Sequence, residues 1–259
     1  MVLLGRPISD EIATKANKIL RTIGLNFGSK IQEIQDTSKK IVVGSYDFSA
    51  DADTFTFVNA DVSISGNTIT ESSHGLVTGD AVVLTSDGTL PTGLSASTAY
   101  YVIKVNPNVF KLASSRANAF AGTAIDITAV TGGATPTHTL AKNVFGQINL
   151  LDQGVKLPDK SLILRTFYLV ETTFTSTTTD NATIALSLNA ANDITTATAI
   201  KTTGDIWDAG SYVAGSQDDA LAHFLKLTAD RELLMTVGAD TLTAGKLKVF
   251  VEYLDVDAF

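Results

Sequence analysis

Three pairs of acidic residues are the first side chains in this sequence that could carry out chemistry. Two neighbouring carboxylates can ligate calcium, and two that oppose each other across a groove can hydrolyse a glycoside. None of the pairs has the glycine-centred spacing of a known calcium loop, and no short regular repeat predicts the parallel solenoid typical of polysaccharide-cleaving enzymes. Solvated loops explain them equally well, so we expect no metal site. The pairs are Asp51 with Asp53, Asp205 with Asp208, and Asp218 with Asp219.

The three histidines could act as general bases, because imidazole titrates near neutral pH. We expect His74, which precedes Gly75 in a turn, to bond to the backbone, and His138 to pair across a sheet with a polar neighbour. His223 lies in an apolar segment and is typical of a core or interface residue. No Gly-x-Ser-x-Gly elbow, His-Glu-x-x-His helix or cysteine accompanies them. The sequence therefore predicts that the protein is not an enzyme.

A phosphate-binding loop has only a superficial counterpart in Gly238 and in Gly245 with Lys246. The glycine spacing is wrong, and Leu247 stands where a Ser or Thr would be needed to hold magnesium. We reject nucleotide binding and expect no cofactor.

The lone tryptophan, Trp207, lies in a glycine-flanked segment and has two interpretations. Its indole could stack on a sugar or anchor a protein contact, because large aromatic side chains dominate interface energies. Alternatively it caps a β-sandwich core, which we favour because indoles are usually highly buried. If the protein binds a glycan or a partner through exposed rings, Trp207, Tyr212 and Tyr100 are the candidates.

Composition limits the class of protein. Charged residues make up 18% of the chain and apolar residues 44%, which fits many short strands better than long helices. A net charge of -8 disfavours nonspecific binding to nucleic acid. No apolar run approaches the roughly 20 residues that span a bilayer, so we expect a product made in the cytoplasm, with no membrane contact.

Residues 1–38 contain the strongest helical pattern. Ser9 can cap a helix, and the apolar stripe that follows is expected to form a helical arm. The arm either covers one end of a β-sandwich or docks on a neighbouring subunit. The stripe that would form the assembly contact consists of Ile12, Ile19, Leu20 and Ile23.

From Lys40 the apolar period changes to two, so a strand begins there. We assign residues 39–57 and 143–259 to an antiparallel β-sandwich, and residues 58–142 to an inserted small β domain. Insertions of this kind survive at exposed loop tips because lengthening a loop costs little closure entropy. The strands predicted in the sandwich after the insertion are Ser161–Thr173, Ala182–Asn189, Ala220–Thr228, Arg231–Gly238 and Leu247–Leu254.

Turn chemistry sets several connections. Gly66 with Asn67, and Asn106-Pro107-Asn108, predict hairpins in the inserted domain, which we expect to be a small barrel or sandwich. Ala229 with Asp230 predicts a hairpin in the host domain, and Ala244 with Gly245 the start of its last strand. The long apolar segment Leu162–Glu171 is expected to cross the centre of a sheet. The predicted core of the inserted domain comprises Leu76, Val82, Leu84, Leu90, Leu94, Tyr101, Val105, Phe110, Leu112 and Ile125.

Two ordered sets of phrases resemble proteins of tailed bacteriophages. Between Ser65 and Leu140, the succession HGL, TGDAV, GTLPTGL, TAYYVI, VFKLA, GTAIDIT and THTL resembles a small β module of phage structural proteins. Over residues 145–254, the phrases VKLP, RTFY, FTS, ATIAL, WDAG, LTAGKL and FVEY are similar to trimeric capsid decoration or head-fibre proteins.

These resemblances imply a jelly-roll-like sandwich bound to the outer capsid surface, with the major capsid protein as partner. They imply a structural virion protein, decorating and stabilising the capsid as a homotrimeric cement protein. The alternative is a receptor- or glycan-binding module on a tail or head fibre, whose partner would be a host surface glycan.

Overall fold

The computed structural model of this chain describes residues 40–133, 136–152, 154–188, 190–201, 204–214 and 225–255. The predicted helical arm of residues 1–38, with Ile12, Ile19, Leu20 and Ile23, lies outside these residues. His223 and the acidic pair Asp218 and Asp219 also lie outside them. The expectations for all of these residues therefore stay predictions.

The described residues form an all-β structure of antiparallel sheets, which confirms the predicted fold class. Two short α-helices, α1 (Phe48–Asp51) and α2 (Arg116–Ala121), and a 3-10 turn (Asn59–Asp61) interrupt the strands. The strands are β1 (Lys40–Asp47), β2 (Asp53–Val58), β3 (Val62–Ser63), β4 (Thr68–Thr70), β5 (Ala81–Ser86), β6 (Ala99–Asn106), β7 (Val109–Ala113), β8 (Thr137–Lys142), β9 (Gly146–Asn149), β10 (Leu162–Ser176), β11 (Thr183–Ser187), β12 (Thr195–Ala199), β13 (Tyr212–Ala214), β14 (Leu225–Lys226), β15 (Leu234–Gly238) and β16 (Leu242–Leu254).

Two of the sheets form the sandwich. The five-stranded sheet has the order β1-β16-β10-β13, and β14 also pairs with β10. The four-stranded sheet has the order β12-β11-β15-β9. Since β10 lies between β16 on one side and β13 and β14 on the other, the prediction that Leu162–Glu171 crosses the centre of a sheet is confirmed.

Alternating apolar residues of the two sheets fill one shared core. On β10, Tyr168 and Val170 are fully buried while their neighbours Phe167 and Leu169 are not. They join the same cluster as Leu186 of β11 and Met235 of β15 in the facing sheet. Burial of this kind contributes about 25 cal/mol for each Å² of apolar surface removed from water, so the period-two pattern selects which face of each strand turns inward.

The hairpin predicted at Ala229 and Asp230 is wrong. Strand β14 pairs with β10, whereas β15 pairs with β11 and β9, so the chain crosses from one sheet to the other here. Leu227 and Leu233 are both fully buried, so the segment between β14 and β15 packs against the core as it crosses between the sheets.

The last strand also begins earlier than predicted, at Leu242 rather than at Ala244 with Gly245. Leu242 is buried and lies opposite Ser176 of β10, and this pairing extends the strand. Gly245 therefore lies inside β16, not at its start.

The third sheet has seven strands in the order β2-β8-β5-β6-β7-β4-β3. Within the described residues this order is an open path with β2 and β3 at its edges. Both hairpins predicted here are confirmed, since β3 pairs with β4 across Asn67, whose φ is 51°, and β6 pairs with β7.

Most of the predicted core of this seven-stranded unit is correct. Leu76, Val82, Leu84, Leu94, Phe110 and Leu112 are buried together, with Leu90 and Ile125 packed against them. Tyr101 instead belongs to the core cluster that continues into the sandwich. Val105 is 51% exposed, because the last three residues of β6 extend beyond the sheet's buried centre.

The predicted boundary near residue 58 places β2 in the sandwich, but β2 pairs with the seven-stranded sheet instead. Six consecutive residues of β2 pair with β8, from Asp53 opposite Lys142 to Val58 opposite Thr137. Phe57 is buried in the core of the seven-stranded unit, with its ring 5.0 Å from that of His138. The seven-stranded sheet therefore begins at Asp53 rather than near residue 58, and the division of the chain into domains stays a prediction.

Candidate functional site

The outer face of the five-stranded sheet carries apolar side chains across four strands. Phe250 of β16 lies opposite Val43 of β1 and opposite Phe167 of β10 in the strand registers. The rings of Phe167 and Phe250 stack with centroids 4.7 Å apart and planes 10° apart. The ring of Tyr212 on β13 lies 5.4 Å from that of Phe167. We call Val43, Phe250, Phe167 and Tyr212 the apolar row.

Members of the apolar row remain accessible. Tyr212 is 63% exposed and Val43 is 47% exposed, while Phe167 and Phe250 are half-buried. Their strand neighbours Tyr168 and Val249 turn the other way and fill the core. Because the inward positions are already occupied by large apolar residues, the row faces outward on a sheet that is apolar on both sides. A contiguous apolar patch of this kind is typical of an interaction surface.

Charged side chains border the apolar row on both sides. The guanidinium of Arg165 donates to both carboxylate oxygens of Glu252, at 2.5 and 2.8 Å, and lies 5.6 Å from the centre of the Phe167 ring. On the other side, Lys248 pairs with Glu171 at 2.7 Å, and its hydrogen bond holds the pKa of Glu171 below the ordinary value. An aromatic centre within a polar rim is the usual arrangement of a protein interface.

The structure places the three predicted contact residues in different surroundings. Tyr212 belongs to the apolar row. Trp207 has no exposed surface, and its indole stacks on Tyr168 with centroids 5.2 Å apart, so the favoured interpretation that it completes the sandwich core is confirmed. Tyr100 is 5% exposed, and its hydroxyl accepts a hydrogen bond from the Ser95 N–H at 2.8 Å. The prediction of an exposed contact through Trp207 or Tyr100 is therefore wrong, because both rings are buried by packing.

Sequence reasoning missed Val43, Phe167 and Phe250. The available signal was the run from Leu162 to Val170, which is apolar on both strand faces although one face of an antiparallel sandwich sheet normally meets water. Such a run predicts either a buried central strand or a strand with an interacting outer face. The partner strands were needed to decide between the two.

A cleft with a volume of about 760 Å³ separates the seven-stranded unit from the sandwich. Its floor is the outer face of the four-stranded sheet, where Gln147, Asn149 and Thr236 alternate with the buried Ile148 and Met235. The opposite wall includes residues of the loop before β5 and of α2. These wall residues are Val77, Thr78, Gly79, Asp80, Arg116 and Phe120.

One ion pair joins the α2 wall of the cleft to the sandwich. Arg116 of α2 donates from Nε and Nη2 to the two carboxylate oxygens of Glu232, both at 2.9 Å. Its third nitrogen, Nη1, donates to the carbonyl oxygen of Gly79. Nearby, the Tyr101 hydroxyl accepts a hydrogen bond from the Gln147 N–H at 3.0 Å. These contacts fix the seven-stranded unit against the sandwich.

Electrostatics in the cleft follows burial and pairing. Burial raises the pKa of Asp80, although its carboxylate lies 3.5 Å from the ammonium of Lys142. The hydrogen bond from Arg116 lowers the pKa of Glu232 below its ordinary value of 4.5. The carboxylate of Glu232 is thus stabilised in the folded state, whereas that of Asp80 is not.

Replacing Glu232 by glutamine is expected to lower the free energy of unfolding by about 1–2 kcal/mol at neutral pH, because a charge-assisted hydrogen bond is lost. A lowered carboxyl pKa contributes stability that is present above the unfolded pKa and disappears as pH falls through the folded pKa. The difference between wild type and E232Q should therefore vanish once pH falls well below 4.5. Urea unfolding of both proteins at several pH values measures this difference in the free energy of unfolding.

The control for this experiment is Glu171→Gln, which removes an ion pair at the more exposed rim of the apolar row. We expect E171Q to have the smaller effect at neutral pH, because exposed ion pairs contribute little. An E232Q protein that matches wild type at pH 7 contradicts the role given to the Arg116 pair.

The two described histidines take part in local hydrogen bonds, as predicted. Nδ1 of His74 accepts from the Leu76 N–H, and Nε2 donates to the carbonyl oxygen of Asn106, both at 3.0 Å. His138 lies between Ser86 at 2.8 Å and Asn59 at 2.9 Å, and its burial lowers its pKa. Both rings act as structural links between strands and turns.

Across the described ranges, no group of three or more His, Asp or Glu side chains is placed to hold a metal ion. In the same part of the chain, no helix has both the length and the apolar character needed to cross a bilayer.

No protein-family model matches this sequence, and no curated protein matches it. Solved structures with a partial likeness to the chain include two phage capsids. The acidic stable capsid structure of Helicobacter pylori bacteriophage KHP30 aligns with a TM-score of 0.32 and 14% identity, over 43% of this chain and 79% of that one. The capsid of Ralstonia phage GP4 aligns with a TM-score of 0.32 and 15% identity, over 43% of this chain and 75% of that one. A TM-score of 0.32 is too low to carry an argument about function.

Proposed function

We propose that this chain is a structural virion protein of a tailed bacteriophage that decorates and stabilises the outer capsid surface. The observation that carries the proposal is the apolar row, an exposed aromatic surface with a charged rim on the sandwich. The ordered phrases over residues 145–254 that resemble capsid decoration proteins support it, because they include Phe167, Phe250 and the strands that hold them. The jelly-roll character of the sandwich belongs to the same proposal.

The apolar row is the surface through which the sandwich contacts the major capsid protein. Ile41 of β1 is exposed on the same face as Val43 and extends this apolar surface. The action is mechanical, since several weak contacts per copy bridge neighbouring capsid subunits and multivalency retains the protein.

A homotrimer is the proposed state on the particle, because a decoration protein at a local three-fold position has three equivalent contacts. Multi-angle light scattering of the purified protein, together with cryo-microscopy of the parent particle, measures the copy number per site. A monomer in both measurements contradicts the trimer, and density for this chain only in the tail contradicts the capsid location.

Replacing Val43 and Tyr212 together by serine is expected to weaken binding to parent-phage capsids assembled without this chain by about 30-fold, because the two most exposed apolar side chains of the row are lost from the interface. Since both side chains are exposed, the thermal midpoint should stay close to that of wild type. Co-sedimentation with the capsids measures the affinity.

The matched control replaces Ile64 and Val105 by serine, because these apolar residues are similarly exposed but lie on the seven-stranded unit. The control should bind capsids as wild type does. If the Val43 and Tyr212 double variant bound capsids as tightly as wild type does, the apolar row would not be the attachment surface.

The alternative function is a receptor- or glycan-binding module on a tail or head fibre. Its predicted contact residues are Tyr100, Trp207 and Tyr212. Two of these rings are buried, so only Tyr212 remains to carry it in that form. Adsorption of the purified protein to host cells, unchanged by Tyr212→Ser, would remove this version of the alternative.

A further inference from the structure

We propose that the cleft between the seven-stranded unit and the sandwich binds a neutral oligosaccharide. This goes beyond capsid attachment, because the cleft shares no residue with the apolar row. The volume of about 760 Å³ lies within the range of roughly 300–1,000 Å³ typical of small-ligand sites.

The floor of the cleft has the chemistry that recognises hydroxyl groups. Gln147 and Thr236 lie opposite each other in the β9 and β15 register, and Asn149 lies opposite Leu234. Amide and hydroxyl side chains both donate and accept hydrogen bonds, as sugar hydroxyls do. Because these residues sit on strands of a packed sheet, their spacing is fixed before a ligand arrives, which reduces the ordering entropy of binding.

An aromatic ring stands on the wall of the cleft. Phe120 of α2 is 57% exposed, and the guanidinium of Arg116 lies 5.0 Å from its ring centre. Helix α2 is fixed by Ser115, whose hydroxyl accepts from the Asn118 N–H at 3.1 Å, and by the Arg116 pair with Glu232. A held ring with a large exposed area can stack on the apolar face of a sugar.

The charges of the cleft favour an uncharged ligand over an anion or a cation. Five acidic and four basic side chains line it, so neither sign dominates. Two pairs of them neutralise each other, Arg116 with Glu232 and Lys142 with Asp80, while Nε of Arg231 is a buried donor with no hydrogen-bond partner among the described residues. A charged ligand would compete with these pairs, whereas a neutral saccharide uses the Gln147 amide and the Thr236 hydroxyl of the floor. The Asn149 amide already exchanges hydrogen bonds with the Leu151 backbone.

The test uses the full chain and a panel of neutral hexasaccharides of glucose, galactose, mannose and N-acetylglucosamine in α and β linkages. We expect at least one to bind in isothermal titration calorimetry and to shift NMR amide signals of β9, β15 and α2. Phe120→Ala should weaken that binding about five-fold, because one stacking contact is lost. Thr236→Val, which keeps the side-chain shape and removes the hydroxyl, should weaken it as well.

The control is Val105→Ser, which removes an exposed apolar side chain outside the cleft and should leave saccharide affinity unchanged. Melting temperatures of all variants should equal that of wild type, which separates lost binding from lost folding. The proposal is overturned if no hexasaccharide of the panel binds, if amide shifts map outside the cleft, or if F120A binds as tightly as wild type. Sulfated and sialylated glycans are titrated alongside the panel, and preferential binding of these would also overturn the proposal. Capsid binding by F120A should stay normal, so this result is independent of the proposed function.

Discussion

Gly245→Ala is expected to lower the free energy of unfolding by about 4 kcal/mol, through backbone strain and steric overlap together. Gly245 lies within β16 with a φ of 140°, a conformation that residues with a Cβ rarely adopt. A Cβ there would also lie 2.6 Å from Cγ of Phe174, whose ring is fixed in the core against Tyr46 and Trp207. Urea unfolding followed by the fluorescence of the lone tryptophan measures the loss in the sandwich.

Gly154→Ala is the matched control, because Gly154 also has a positive φ, 84°, but nothing lies within 4 Å of its Cβ position. Gly154→Ala should lower the free energy of unfolding by about 1 kcal/mol, the contribution of backbone conformation alone. A Gly245→Ala protein that is no less stable than Gly154→Ala contradicts the overlap with Phe174.

The second large effect is expected for Trp207→Ala, which should lower the free energy of unfolding by about 3–5 kcal/mol because it leaves a cavity in the core. The indole stacks on Tyr168 and meets the ring of Phe174 edge-on at 6.0 Å. The surrounding rings belong to a dense cluster in which burial raises the pKa of Tyr168 to about 12. Circular dichroism during urea unfolding measures the loss without relying on the tryptophan signal.

Trp207→Phe tests the same packing with a smaller change. It keeps a ring in place, and it removes an indole N–H that has no hydrogen-bond partner among the described residues. The expected loss is about 1–2 kcal/mol. If Trp207→Ala instead kept wild-type stability and lost capsid binding, the residue would be an interface anchor and not part of the core.

Local patterns in the sequence were sufficient for the fold class and for the two hairpins of the seven-stranded sheet. Asn67 accepts the positive φ that its hairpin requires, and β1 begins at Lys40, where the apolar period changes to two. The membership of β2 was not predictable in this way. The alternation of Phe55 and Phe57 is the same in either sheet, and their pairing partners on β8 lie far away in the sequence.

The candidate sites depended even more on distant pairing. Val43 and Phe250 meet only because the first and last strands pair, and Phe167 joins them from the middle of the chain. In Tyr100-Tyr101-Val102, three consecutive residues are buried, because one face of β6 meets the core of its own sheet and the other meets the sandwich. Periodicity therefore gave no means of deciding which aromatic rings would be exposed.

The pairing of Asp53 with Lys142 brings the two chain connections of the seven-stranded unit side by side. Just beyond them, the Asn143 side chain donates to the carbonyl oxygen of Asp51 at 3.3 Å, and the Tyr46 hydroxyl donates to the carbonyl oxygen of Asn143 at 2.9 Å. Since entry and exit are adjacent, a short turn could join Ala52 to Asn143 in place of residues 53–142, at the cost of the hydrogen bond between the Tyr101 hydroxyl and the Gln147 N–H of β9. A single recombination event could thus replace this unit by another domain. The connection between β1 and β9 is therefore a position at which foreign domains could be inserted.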